Sequence, residues 1–256
     1  TVHAIFQDKL GFMWFGTKDG LNRFDGTSFK IFKFSPGENL RDNVFHRILQ
    51  DRQDNIWVGT DDGVYIYDPR KEEFNRFELT TPDNVSIDGV VSDMLEDKDG
   101  DIWISLEEKG IFHYNFLTGI LSNYKIPQAP DGMRMVSLCL GKEGEVWAFP
   151  YNLPFVSINK NTGKIADFKL VDDPDLFYNI GEIWKVATDE YNQLLVASST
   201  KGLISVNTVS KTHRILLAED AEGQQIFARC LLKIDPKTIW IGSESGLYIY
   251  NIETGK

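Results

Sequence analysis

The sequence predicts an all-β protein, a β-propeller of four-stranded antiparallel blades, and two observations carry that prediction. The first is a repeat: similar segments recur every 43 to 48 residues along the chain. Five of them share a tryptophan, and the sixth has leucine at that place: Trp14, Trp57, Trp103, Trp147, Leu195 and Trp240. We call these the repeat positions. A period of roughly 40–50 residues is typical of propeller blades or solenoid repeats.

The second observation is the pattern inside one repeat, clearest in residues 44–80. It reads VFHRILQD, a turn RQDN, IWVGT, a short loop DD, GVYIYD, a turn PRKEE, and FNRFELT. Short β-branched and aromatic runs separated by Asp, Gly and Pro are typical of strands joined by hairpin turns. Four strands per repeat indicate a propeller blade, and the 3.6-residue period of a helical repeat is absent.

Six blades follow in order, and we expect them to form one domain over residues 1–256. Their approximate bounds are 1–40, 41–86, 87–131, 132–178, 179–223 and 224–256. The chain opens at a first strand and closes after a third, which leaves five fourth strands, around 29–34, 74–79, 121–126, 165–170 and 213–218. Natural proteins avoid unpaired sheet edges. We therefore expect a fragment of a larger ectodomain, containing most of a seven-bladed propeller.

Residues that recur in every blade are expected to serve packing and turns. We expect the tryptophan rings to fill the wedge between adjacent blades. An aspartate recurs six residues before four repeat positions, as Asp8, Asp51, Asp97 and Asp189. Each third strand ends in Asp or Asn, which should cap the next turn: Asp25, Asp68, Asn115, Asn159, Asn207 and Asn251. The turn Asp97–Gly100 resembles a calcium loop but lacks its bidentate Glu, so we predict no metal.

Composition narrows the class of partner. The net charge is −11, which disfavours nucleic acid. The sequence has neither an apolar run long enough to span a membrane nor a signal peptide at Thr1. Cys139 and Cys230 lie two repeats apart, beyond disulfide reach, and we expect both to be buried as small apolar residues. We expect no cofactor.

Two segments, GFMWFGTKDGLNRFDG (11–26) and NIWVGTDDGVYIYD (55–68), resemble the two-component regulator propeller repeat. The resemblance covers all six blades and is strongest in the first two and the last. It implies the periplasmic ligand sensor of a hybrid two-component system in gut Bacteroidetes, usually for oligosaccharides. It also implies that the full-length protein has a second propeller, a β-sandwich, one membrane helix and a histidine kinase. A second copy of the receptor, forming a homodimer, is a further partner that we expect. This chain carries no kinase motif, so we expect it to be non-catalytic and to make no membrane contact.

Ligand-binding residues should be those that break the repeat at the loop face, since loops on a rigid scaffold commonly carry binding. The fourth blade breaks it most, because AFPYNLP follows Trp147 in place of Gly-Thr. Phe149, Tyr151 and Asn152 are expected to project there. The next loop, DDPDLFYNIGE, offers Phe177 and Tyr178.

Trp184 is the only tryptophan outside the repeat positions, and it lies eleven residues before Leu195. His3 and His46 have the same offset from Trp14 and Trp57. Arg134 and Arg229 lie near the equivalent starts of blades four and six. Aromatic rings beside Asn, His and Arg commonly hold sugars. The alternative is structural: Trp184 and Tyr178 would pack a channel or blade seam, and the histidines would be hydrogen-bonded channel residues.

Two other functions stay open. In an enzyme of the streptogramin-lyase type, His3 and His46 would together act as the catalytic bases. Against this, the sequence shows no nucleophile elbow, no cluster with metal-ligand spacing and no histidine with an evident orienting acid. A protein-interaction scaffold of the WD-repeat kind would need Gly-His and Trp-Asp signatures, which are missing.

Overall fold

The computed structural model describes residues 1–18, 20–32, 44–126, 134–141, 144–189, 191 and 193–255. Within them the chain forms six antiparallel sheets and one short helix. It divides into two compact units, unit 1 over Thr1–Gly132 and unit 2 over Met133–Lys256. Each unit contains three sheets. The predicted all-β propeller architecture is confirmed.

Unit 1 contains blades 1 to 3, each a four-stranded meander in chain order. Blade 1 consists of β1 (Val2–Gln7), β2 (Met13–Thr17), β3 (Gly20–Phe24) and β4 (Phe29–Phe32). Blade 2 consists of β5 (Phe45–Gln50), β6 (Ile56–Thr60), β7 (Gly63–Asp68) and β8 (Glu73–Arg76). Blade 3 consists of β9 (Val91–Glu96), β10 (Ile102–Leu106), β11 (Gly110–Asn115) and β12 (Ile120–Tyr124).

Unit 2 contains blades 4 to 6. Blade 4 consists of β13 (Met135–Leu140), β14 (Val146–Pro150), β15 (Phe155–Asn159) and β16 (Lys164–Phe168), and α1 (Leu176–Asn179) follows it. Blade 5 consists of β17 (Ile183–Thr188), β18 (Gln193–Ser198), β19 (Gly202–Asn207) and β20 (Thr212–Leu217). Blade 6 has three strands, β21 (Ala228–Lys233), β22 (Thr238–Ser243) and β23 (Leu247–Asn251), as the sequence predicts.

The blade borders stay predictions, and those at 40/41 and 131/132 lie outside the described residues. The same holds for Lys33 and Phe34 at the end of the first predicted fourth strand. The described fourth strands begin at the predicted residue or one residue earlier. Their predicted ends run too far, because the chain leaves the sheet towards the next blade after four to six residues.

The repeat tryptophans pack as predicted wherever a following blade covers them. Trp14 lies 5.2 Å from Tyr67 of blade 2, and Trp57 lies 6.1 Å from Tyr114 of blade 3, measured between ring centroids. Both tryptophans are 1% exposed. Trp240, on the three-stranded blade 6, is 37% exposed.

Each recurring aspartate clasps its turn and, where one is present, its tryptophan. Asp51 accepts the backbone N–H groups of Gln53 and Asn55 on Oδ1 and the Trp57 indole N–H on Oδ2, at 2.8 Å. Asp8 and Asp97 bind their indoles at 2.7 and 3.0 Å. Glu145 replaces the aspartate in blade 4, at 3.1 Å from the Trp147 indole nitrogen. The carboxylate therefore ties the tryptophan ring to the turn that precedes it.

Other recurring residues also have structural roles. The Asp or Asn at the end of all six third strands accepts N–H groups of the next turn, as predicted. Gly59 is needed for close approach, since a Cβ there would lie 2.6 Å from Val91 Cγ1 of the neighbouring blade. Gly63 has φ +112°, which disfavours any side chain.

The expectation for the cysteines is half wrong. Cys139 is buried, but Cys230 is exposed. Cys230 pairs with Gly242 on blade 6, and Leu232 and Trp240 pair further along the same two strands. Leu232 and Trp240 are 58% and 37% exposed, so all three of these side chains are accessible.

Candidate functional site

Every first strand contains a one-residue β-bulge close to its start. In β1, for example, Val2 pairs with Thr17 and Ala4 with Gly16, so that His3 is the extra residue. The same shift occurs in β5, β9, β13, β17 and β21. The extra residues, which we call the bulge residues, are His3, His46, Ser92, Val136, Trp184 and Arg229. Each lies eleven residues before a repeat position.

At each bulge, an apolar residue that can pack in the core is followed by a residue whose side chain leaves the regular alternation of the strand. The residue before the bulge is apolar, and Phe45, Val91, Ile183 and Ala228 at that position are buried. A bulge removes one residue from the in–out alternation and redirects its side chain, which is why bulges are common beside binding sites. The offset noted from the sequence for Trp184, His3 and His46 therefore corresponds to one backbone geometry.

In unit 2, the bulge residues of β17 and β21 contact each other. The Arg229 guanidinium carbon lies 4.5 Å from the centre of the Trp184 ring, in a cation–π arrangement. The Trp184 indole nitrogen is buried and has no hydrogen-bond partner in the part of the chain that the structure describes. Such an unmet donor costs about 1–3 kcal/mol. The position thus holds an unused hydrogen-bond donor beside a cation.

Carboxylates and arginines surround this pair. Glu182, just before β17, lies 3.4 Å from Arg134 Nη1 and 3.8 Å from Arg229 Nη1. Arg229 Nη2 also donates to Glu244, from the loop after β22. We call Arg134, Glu182, Trp184, Arg229 and Glu244 the Trp184 cluster. Three predicted residues from three blades therefore come together in one polar, partly exposed cluster.

The other predicted residues of unit 2 lie around this cluster or apart from it. Tyr151 is joined to it by its backbone N–H, which donates to the Arg134 carbonyl at 3.0 Å. Asn152 is exposed with φ 54°, and Tyr178 is 46% exposed on α1. Phe149 was predicted to project, which is wrong, and Phe177, named as a residue of the next loop, is buried as well. They are 0% and 2% exposed, because an apolar core replaces the usual joint of blade 4.

In unit 1, the bulge residues His3 and His46 pack edge to face, with ring centroids 5.9 Å apart. His46 Nε2 lies 2.5 Å from Oδ1 of Asp61, in the loop between β6 and β7. Burial lowers the pKa of His3 below its usual value of 6.5, and His46 and Lys18 add to this effect. The expectation that no histidine has an orienting acid is wrong, because the sequence separates His46 from Asp61 by a whole hairpin.

The remaining histidines also pair with acids. His213 Nδ1 lies 3.2 Å from Asp172. His113 Nε2 lies 2.9 Å from Asp101 Oδ2, and Asp97, Asp101 and His113 place ligand atoms within 4.8 Å of one another. The sequence predicted no cluster with metal-ligand spacing, and this prediction is wrong, because these three side chains have such a spacing.

Protein donors already occupy these carboxylates, however. Asp97 Oδ2 accepts the Trp103 indole, and Asp101 accepts from Asn115 as well as His113. Asp101 Oδ1 accepts the Phe116 backbone N–H. A cation would have to displace these buried donors. The cluster is best described as the hydrogen-bond network that holds blade 3 together.

Four polar residues beside the predicted ones were missed from the sequence. Ser92 could have been found, since it shares the eleven-residue offset of His3, His46 and Trp184. Its Oγ is buried without a hydrogen-bond partner among the described residues. Asp61, Glu182 and Glu244 carried no signal, because loop geometry alone brings them to their partners.

The sheets and the repeated clasp define the chain as a β-propeller built from one blade motif. A family model described as "Two component regulator propeller" matches residues 1–19, 39–62 and 86–108. These three segments therefore match the two-component regulator propeller repeat. Over 39 residues it is 51% identical to "Histidine kinase P4" of Formosa agariphila, a stretch covering 15% of this chain and 3% of that protein.

Solved structures share the fold. The extracellular domain of a putative hybrid two component system from B. thetaiotaomicron matches with a TM-score of 0.80 and 22% identity, over 100% of this chain and 35% of that one. Virginiamycin B lyase from Staphylococcus aureus matches with a TM-score of 0.70 and 12% identity, over 98% of this chain and 84% of the lyase. The chain spans about a third of the B. thetaiotaomicron domain. None of the described helices is long and apolar enough to cross a membrane.

Proposed function

We propose that this chain is a non-catalytic, extracytoplasmic sensing propeller of a hybrid two-component system. It recognises an oligosaccharide in the periplasm, and the full receptor relays binding to a histidine kinase. The matched repeats, the kinase relative and the B. thetaiotaomicron extracellular domain support this assignment. A second propeller, a β-sandwich and a second receptor copy are the protein partners expected. The net charge of −11 disfavours nucleic acid.

The observation that carries the proposal is the unpartnered indole N–H of Trp184 beneath Arg229. Sugar recognition combines an aromatic surface with planar polar groups that bind hydroxyls. The Trp184 cluster supplies both kinds of group, and Tyr151 lies next to it through Arg134. Its arginines and carboxylates pair with each other, so they hold their positions before a ligand arrives.

Calorimetric titration of the intact protein tests this assignment. The panel contains the neutral tetrasaccharides of cellulose, xylan, mannan and starch, together with tetragalacturonate. We expect at least one to bind and Trp184→Ala to weaken that binding at least tenfold. Trp240→Ala is the matched control, because Trp240 is also partly exposed but is a repeat position outside the Trp184 cluster. Wild-type protein that binds no panel member, or unchanged binding by Trp184→Ala, would contradict the proposal.

One observation favours a second candidate, a lyase. Asp61 orients His46, as an acid orients a general base, and virginiamycin B lyase shares the fold. Incubation with virginiamycin B, followed by chromatography and tandem mass spectrometry, tests this alternative, because an opened ring has the same mass but a different retention and fragmentation. Turnover that disappears in His46→Ala would establish it, and an unchanged substrate would remove it.

A further inference from the structure

The bulge residues vary in chemistry while the backbone around them repeats. The residue just before the bulge is always apolar: Val2, Phe45, Val91, Met135, Ile183 and Ala228. The bulge residue itself is His, His, Ser, Val, Trp or Arg. A fixed geometry with a changing side chain is what a specificity position requires, because the scaffold stays constant while the recognised group differs.

In unit 1 three such residues stand on neighbouring strands. β1 packs beside β5, and β5 beside β9. Their bulge residues, His3, His46 and Ser92, can all form hydrogen bonds, and none carries a permanent charge. Unit 2 differs, since Trp184 and Arg229 present an aromatic ring and a cation. The two units therefore offer different chemistry at the same backbone position.

The hydrogen-bond donors and acceptors of His3, His46 and Ser92 can be assigned. A carboxylate only accepts hydrogen bonds, so His46 Nε2 donates to Asp61 and the Nδ1 of a neutral His46 remains an acceptor. Ser92 Oγ is buried without a described partner, and its hydroxyl can turn to donate or accept. His3 is exposed beside His46, and its lowered pKa favours the neutral imidazole.

We propose that His3, His46 and Ser92 form a second binding site, in unit 1, for an uncharged ligand with neighbouring hydroxyl groups, such as a neutral sugar ring. Each of two adjacent sugar hydroxyls can both donate and accept a hydrogen bond. One could donate to Nδ1 of His46, and the other could bind the Ser92 hydroxyl, which can rotate to donate or accept. An anionic ligand fits less well, because the Asp61 carboxylate beside His46 would repel it. The site rests on the proposed sensing function but not on the Trp184 cluster.

The same tetrasaccharide panel, titrated into intact protein variants, tests this site. We expect a neutral tetrasaccharide to bind, His46→Gln to weaken its binding at least tenfold and Ser92→Ala to weaken it about three- to tenfold. Matched controls are His213→Gln and Ser122→Ala, on the outer strands β20 and β12, with changes below twofold. Circular dichroism melts verify that each variant folds.

The outcomes separate the two proposals. If neutral binding needs Trp184 but is unchanged in His46→Gln and Ser92→Ala, the second site is overturned and the sensing function stands. If no panel member binds, both fall. As a direct readout, a bound neutral tetrasaccharide should shift the ring-proton NMR signals of His3 and His46 in wild type. Signals that stay in place at saturating sugar would also overturn the site.

Discussion

Blades 2 and 5 begin with the same turn and complete it differently. Asp51 and Asp189 each accept two backbone N–H groups on Oδ1. In blade 2 the other oxygen accepts from Trp57 and from Asn55. In blade 5 Leu195 replaces the tryptophan, and Asp189 Oδ2 is buried without a described partner. The comparison teaches that the aspartate is needed by the turn first and by the tryptophan second.

The same two blades differ at the bulge. Blade 2 presents His46, held by Asp61, and blade 5 presents Trp184 beneath Arg229. Blade 5, which lacks the packing tryptophan, thus carries a tryptophan at the bulge position instead. The repeat position and the bulge position are separate places in one repeat, and the following substitutions test whether their contributions to stability are separate too.

The largest effect is expected from exchanging the repeat residues. Trp57→Leu should lower the free energy of unfolding by about 3–5 kcal/mol, because a ring that is 1% exposed leaves a cavity against Phe77 and Tyr114. Leu195→Trp should cost less, about 1–3 kcal/mol, since overpacking is partly offset by a new bond to Asp189. Urea unfolding followed by circular dichroism measures both. Equal losses in the two variants would mean that the hydrogen bond between the aspartate and the tryptophan indole contributes nothing to stability.

An intermediate effect is expected from a matched pair of amide substitutions. Asp51→Asn turns an N–H group towards donors whichever way the amide lies, and should destabilise the protein by about 1–3 kcal/mol. Asp189→Asn meets no opposing indole and should change stability by less than about 0.5 kcal/mol. The difference in urea midpoint reports the result. A larger loss in Asp189→Asn would show that blade 5 has a hidden donor.

The smallest effect is expected from removing the indole nitrogen of Trp184. Trp184→Phe keeps a ring beneath Arg229 and deletes an unpartnered donor, so stability should stay within about 1 kcal/mol of wild type. Trp57→Phe is the control, because it deletes a donor that has a partner and should cost clearly more. Thermal melting compares them. A loss as large in Trp184→Phe would show that its N–H is bound.

Much of the fold could be predicted because its signals are local. Strand alternation, turn residues and the tryptophan spacing all act within one blade, so blade order, caps and inter-blade packing followed from the sequence. The errors concern neighbours. Phe149 and Phe177 were read as loop residues but belong to a buried core, and Cys230 was expected to be buried but is exposed on blade 6.

The candidate site divides in the same way. The common offset of His3, His46 and Trp184 was visible, since a bulge fixes it in the backbone. Their acidic partners were not, because loop conformation decides which carboxylate reaches which base. Ligand contact by the predicted residues stays a prediction.

The bulge also affects how such a chain can evolve. Its extra residue stands outside the in–out alternation of the strand, so a substitution there leaves the packing of the repeat positions in place. Six positions, about 45 residues apart, are therefore free to diverge by single codon changes while selection on packing preserves the rest. A lineage built on this repeat can acquire new specificities one residue at a time, without losing a folded intermediate along the way.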